Sequence, residues 1–136
     1  MNLELFIFVG GILHFGILLA SAKVPKVLDW KATLGKLDGL NRQLIWVHGV
    51  FIVLVIFGFG LLSVIFASDL ATGVPLARAV CFFIAFFWAA RLAVQFLVFD
   101  ARKYLTSTFL KVGYHALTAV FAYNVVVFAT AAFFVS

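Results

Sequence analysis

The side chains in this sequence that could do chemistry are few, and they lie inside apolar runs. They are His14, His48, Arg91, Gln95, Tyr114, His115, Tyr123 and Asn124. Polar and ionisable groups in such runs are costly, so each is a functional candidate by default. Two histidines share a local context: Trp46-Val47-His48-Gly49 and Gly113-Tyr114-His115-Ala116. Each has an aromatic residue within two positions before it and a small residue after it. Neutral imidazole is a good axial ligand for haem iron. A small neighbour leaves room for a planar macrocycle, and a nearby cation (Arg42, Lys111 or Arg91) suits its propionates. Trp46 and Tyr114 would line its edge. The expectation is a b-type haem held by His48 and His115, with His14 as a third candidate metal ligand. The plainer reading is that these histidines are hydrogen-bonded packing or interface residues. Spacing alone leaves both open.

Depth supports the pairing. At a rise of about 1.5 Å per residue, His48 and His115 should each sit about 5–6 Å inside the same membrane boundary. His14 and Arg91 should each sit about 12 Å deep. Gln95 lies one turn from Arg91 on the same helix face. Arg91 keeps its proton and snorkels poorly from that depth, so it should face the bundle interior or a partner. Its counter-charge could be a ligand, a lipid headgroup, a quinone oxygen or another subunit. Asn124 and Tyr123 face away from His115 and read as interhelical glue.

The elements that must position these groups follow from composition. Of the 136 residues, 66% are hydrophobic and only 11% are charged. A soluble domain carries about 25% charged residues, so an ordinary soluble domain, a disordered tail and a soluble nucleic-acid binder are excluded. Four runs are long enough to cross a bilayer as helices: 5–22, 44–67, 79–99 and 112–135. The first ends in Ala20-Ser21-Ala22, which resembles a processing site. Its start has no basic residue and carries Glu4, so it is expected to be a membrane helix. The expected fold is a single all-α membrane domain over 1–136, four transmembrane helices in an up-down-up-down bundle. Gly16 and Ala20, and Ala85, Ala89 and Ala93, offer small-residue spacings for close packing.

Eight of the ten basic side chains lie in or beside two connections, 23–43 and 100–111. The positive-inside rule makes those connections cytoplasmic and puts both termini outside, as in a bacterial inner membrane. Pro25 ends the first helix. Val27, Trp30, Leu34 and Leu37 then recur at helical spacing among lysines, which predicts a short amphipathic helix on the inner leaflet or a docking surface for a partner. The connection from Ser68 to Pro75 reads as a tight turn. Cys81 is the single cysteine, so no internal disulfide or paired-thiol chemistry exists; it reads as an apolar filler.

Protease, hydrolase, phosphate-loop and dinucleotide motifs are absent. Three functions fit what is present. The first is a small haem protein passing electrons to a quinone or a partner redox subunit. The second is a non-enzymatic subunit, anchor or assembly factor of a larger membrane complex. The third is a small transporter or metal carrier, acting as a homo-oligomer. Leu13-His14 with Pro25-Lys26 resembles the first-helix pattern of small four-helix membrane haem proteins, over one helix and four residues. That resemblance implies His14, rather than the diagonal pair, as the leading haem ligand.

Overall fold

The computed structural model describes residues 3–27, 30–97 and 107–134, and all regular structure among them is helical. In chain order the helices are α1 (Leu3–Ser21), α2 (Val24–Val27), α3 (Trp30–Gly35), α4 (Gly39–Ile65), α5 (Ala67–Leu70), α6 (Pro75–Leu97) and α7 (Thr108–Phe133). Four of them, α1, α4, α6 and α7, are long and apolar enough to cross a membrane. Their outward faces carry Ile12, Leu19, Phe83, Phe86, Val126 and similar exposed side chains. In a bilayer those faces meet lipid tails.

The long helices overlap the expected runs, and α4 and α7 begin earlier because caps set their starts. Asp38 accepts the Asn41 backbone N–H at 2.9 Å, so α4 opens at Gly39 and takes in Asn41, Arg42 and Gln43. Ser107 accepts the Leu110 N–H at 3.2 Å and opens α7 ahead of Lys111. Between α1 and α4, where a short amphipathic helix is expected, the described residues form α2 and α3; residues 28 and 29 lie outside the described residues. The connection after α4 holds the one-turn α5 before it turns at Gly73, whose φ of 80° suits a residue without a Cβ. The Arg78 Nε–H donates to the Gly73 carbonyl at 2.8 Å and closes that turn. Asp100, Arg102 and Lys103 of the third connection lie outside the described residues.

Helices α1 and α4 run antiparallel, as do α6 and α7. Gly11 lies against Ser63 and Val64, and Phe15 against Phe57, so α1 and α4 run in opposite senses. The Tyr123 hydroxyl donates to the Phe6 carbonyl at 2.9 Å, which ties α7 to α1. Phe82 meets Phe133 and Trp88 meets Phe121, which orders α6 against α7. The lateral order is α4, α1, α7, α6, and Phe59 on α4 closes the ring against Phe83 and Phe87 on α6. The helices diagonal to each other are therefore α4 with α7, and α1 with α6.

Close approach occurs where two glycines meet. A Cβ at Gly11 would lie 2.8 Å from Ser63 Cβ and 3.0 Å from the Gly60 carbonyl oxygen. Membrane helices gain packing contacts when small residues let backbones come together, since lipid supplies little hydrophobic drive between them. The seam is not the one expected from spacing. A Cβ at Gly16 would meet nothing within 4 Å, and Ala89 and Ala93 are exposed. Those positions lie on outward faces, a property that small-residue spacing does not encode.

Packing is uneven along the bundle. At the end that holds Leu3 and Phe133, Ile7, Cys81, Ile84, Trp88, Phe121 and Phe128 form a buried core. At the other end, which carries Lys23, Lys26, Lys31 and Arg42, residues 39–55 of α4 are exposed all round apart from half-buried Gly49. The cause is stagger. With Gly11 level with Ser63, α1 ends at Ser21 while α4 runs on for about 20 Å. Helices α2 and α3 lie alongside that overhang, and Trp30 packs edge-to-face on Trp46 at 5.1 Å.

Candidate functional site

The buried polar centre of the bundle is His14. It is fully buried, and both ring nitrogens are engaged. Its Nδ1–H donates to the Gly10 carbonyl one turn earlier, at 2.7 Å. Its Nε2 accepts the indole N–H of Trp88 at 2.8 Å. An indole N–H can only donate, so Nε2 must carry the lone pair and the imidazole is the neutral Nδ1–H tautomer. The bond crosses the core diagonal from α1 to α6. Edges of Phe59 and Phe128 pack about the imidazole at centroid distances of 6.1 and 6.0 Å. This arrangement leaves His14 no lone pair for a metal.

From Trp88 a polar and aromatic face runs down α6. Trp88, Arg91 and Gln95 follow at helical spacing, and each meets α7. Trp88 stacks on Phe121 at 4.8 Å. The Arg91 guanidinium lies 5.5 Å from the centroid of the same Phe121 ring, a cation–π contact in a half-buried position. The Gln95 amide donates to Thr118 Oγ1 at 2.6 Å, and that hydroxyl donates to the Tyr114 carbonyl at 2.9 Å. Arg91 thus sits at the α6–α7 seam, and Tyr114 enters the network through its backbone.

Next to His14, Asn124 of α7 is fully buried against Gly10, where an added Cβ would come within 3.0 Å of the Asn124 amide oxygen. Among the described residues, neither amide atom of Asn124 nor the buried hydroxyl of Ser63 has a hydrogen-bond partner.

The sequence-derived candidates are dispersed. His48 is exposed; its Nδ1–H donates to the Leu44 carbonyl at 2.7 Å, and among the described residues Nε2 has no hydrogen-bond partner. Trp46 is exposed and packs on Trp30. His115 is exposed, and its ring meets that of half-buried Tyr114 at 5.6 Å. The structure does place His48 and His115 on diagonal helices, at the end where those helices are open. It separates both from His14. Among the described residues, no group of three or more His, Cys, Asp or Glu side chains comes together as a metal would need.

Trp88 is the partner that sequence reasoning missed. Its signal was position. Membrane tryptophans favour the interfaces, and one placed mid-span must find an acceptor for its N–H. Thr118 and Ser63 gave no comparable signal.

No protein-family model, curated protein or solved structure matches the chain.

Proposed function

We propose that the chain is a non-enzymatic subunit or anchor of a larger membrane complex, engaged through the open end of α4. The observation that carries this reading is the exposure of residues 39–55 around the helix circumference. That stretch mixes apolar residues with Gln43, Trp46 and His48, which lipid tails do not satisfy and a partner helix can. The opposite end of the bundle supplies the rigid support. In this reading 23–43 and 100–111 face the cytoplasm of a bacterial inner membrane and both termini face outside, following the positive-inside rule.

The test is photo-crosslinking from residues placed at Val50 or Phe51, with Leu76 as a control at the other end. The expected result is a discrete adduct with another membrane chain from Val50 and Phe51 but not from Leu76. Lipid adducts alone at all three positions would overturn the reading.

One observation favours a second reading, a b-type haem protein that passes electrons to a quinone or a redox subunit. His48 has its Nδ1–H committed to the Leu44 carbonyl, which leaves Nε2 as the nitrogen that could ligate a metal. His48 and His115 would hold the haem at the open end, with Trp46 and Tyr114 beside it, and Arg42 or Arg91 near its propionates. The haem would supply one-electron chemistry; the chain would supply ligation and insulation from water. Oxidised and dithionite-reduced absorption spectra of the purified protein decide it. A Soret band lost in His48→Ala supports this reading, and a featureless spectrum from haem-supplied cells eliminates it.

A further inference from the structure

Beside the overhang of α4 lies an open groove of about 520 Å³. Its walls come from three helices: Lys26 on α2, Trp30, Lys31 and Leu34 on α3, and Arg42 and Trp46 on α4. Among the described residues, three of its lining side chains are cationic and none is acidic. Asp38, just ahead of α4, is committed to capping that helix and to the Asn41 side-chain amide at 3.1 Å. The Trp30–Trp46 pair forms an aromatic wall, and Leu34, which is buried, anchors α3 beneath it.

We infer that this groove is a binding site for the phosphate-bearing headgroup of an anionic phospholipid. Three observations meet here. Lys26, Lys31 and Arg42 approach one volume from different helices, so the positive charge is focused rather than spread over a surface. Tryptophans are the residues that settle at the headgroup level of a bilayer. Below the groove, Val50, Phe51 and Leu54 expose apolar surface on which acyl chains can lie. A free phosphate would use the cations alone; a lipid uses all three features. Basic pockets between membrane helices on the positively charged side recognise such headgroups by this chemistry. Lys31 and Arg42 meet the phosphate oxygens, Arg42 able to do so with two parallel N–H bonds. The groove shares Arg42 and Trp46 with the haem reading, and Val50 and Phe51 with the partner-facing surface; the phosphatidylglycerol titration reads headgroup binding apart from either.

The test is native mass spectrometry of the full chain in detergent, titrated with phosphatidylglycerol, phosphatidylcholine or inorganic phosphate. Parallel titrations use Lys26→Gln, Lys31→Gln, Arg42→Gln and their triple combination. Lys23→Gln and Lys36→Gln are the controls, since both lie at the same end but outside the groove; Lys23 packs over the Phe109 ring at 5.3 Å. The expected result is a retained phosphatidylglycerol adduct that exceeds the phosphatidylcholine adduct. Each groove substitution should weaken it about fivefold, the factor for one basic side chain at an anionic surface, and the controls should not. Equal retention of the two lipids overturns the proposal. So does equal loss in the Lys23 or Lys36 variants, which would mean diffuse attraction. Displacement of the lipid by inorganic phosphate would assign the groove to a soluble phosphate and overturn the lipid. If the triple variant does not fold, the three single variants decide the matter.

Discussion

The two ends of this bundle are built on opposite plans. At one end α1 and α4 touch through glycine, aromatic rings interlock, and a histidine and a tryptophan join diagonal helices. At the other, α4 stands beyond the reach of α1, and its polar side chains have only local partners. The His14 and His48 rings make the contrast concrete. Both donate Nδ1–H to the carbonyl four residues earlier, at the same 2.7 Å. In His14 the remaining nitrogen accepts from Trp88; in His48 it has no partner among the described residues. The same local geometry thus gives a buried, doubly bonded ring where the bundle closes and an exposed, singly bonded one where it does not. Residue type does not separate the roles; the neighbouring helix does.

The sharpest way to break this comparison is Trp88→Ala. It removes the donor to His14 and leaves a void beside Phe121, and should cost about 3–5 kcal/mol. Reversible unfolding of the purified chain in mixed micelles measures it. A cost below about 1 kcal/mol would mean that the closed end is not the rigid one. Gly11→Val comes next. Its side chain must push against Ser63 and the α4 backbone, so a loss of about 1–3 kcal/mol is expected in the same assay. Trp88→Phe sharpens the picture by keeping the ring and deleting the N–H. About 1–2 kcal/mol should go, in line with interhelical hydrogen bonds in membranes. Phe51→Ala and His48→Ala should change the stability of the isolated chain by less than about 0.5 kcal/mol. A larger destabilisation from either would show that the open end contributes to the fold of the single chain.

Much of this architecture was legible in the sequence. The four spans follow from run length, and the basic segments from a count of lysines and arginines. Depth was readable too, since rise per residue is a property of the helix alone. Azimuth was not. His48 and His115 were paired by equal depth, but the direction a side chain points depends on which helices flank it, and α1 lies between theirs. The His14–Trp88 bond joins residues 74 positions apart, and no local pattern connects them. Gly10, Gly11 and Gly60 looked no different from Gly16, though only the first three face a neighbouring helix. The helix starts shifted because Asp38 and Ser107 are caps, a local signal that an apolar-run criterion overlooks.

The stagger of α1 against α4 also bears on the surrounding bilayer. On α1 the apolar surface gives way to Lys23, whereas on α4 it continues to Gln43 and Arg42. Along the shared axis those two boundaries differ in height by about 12 Å. A flat leaflet cannot meet both with the bundle upright. The chain must lean, or the leaflet beside α1 must thin, and either response has an elastic cost that depends on membrane thickness. Bilayer thickness is therefore a variable to which the stability of this protein and its distribution between membranes should respond.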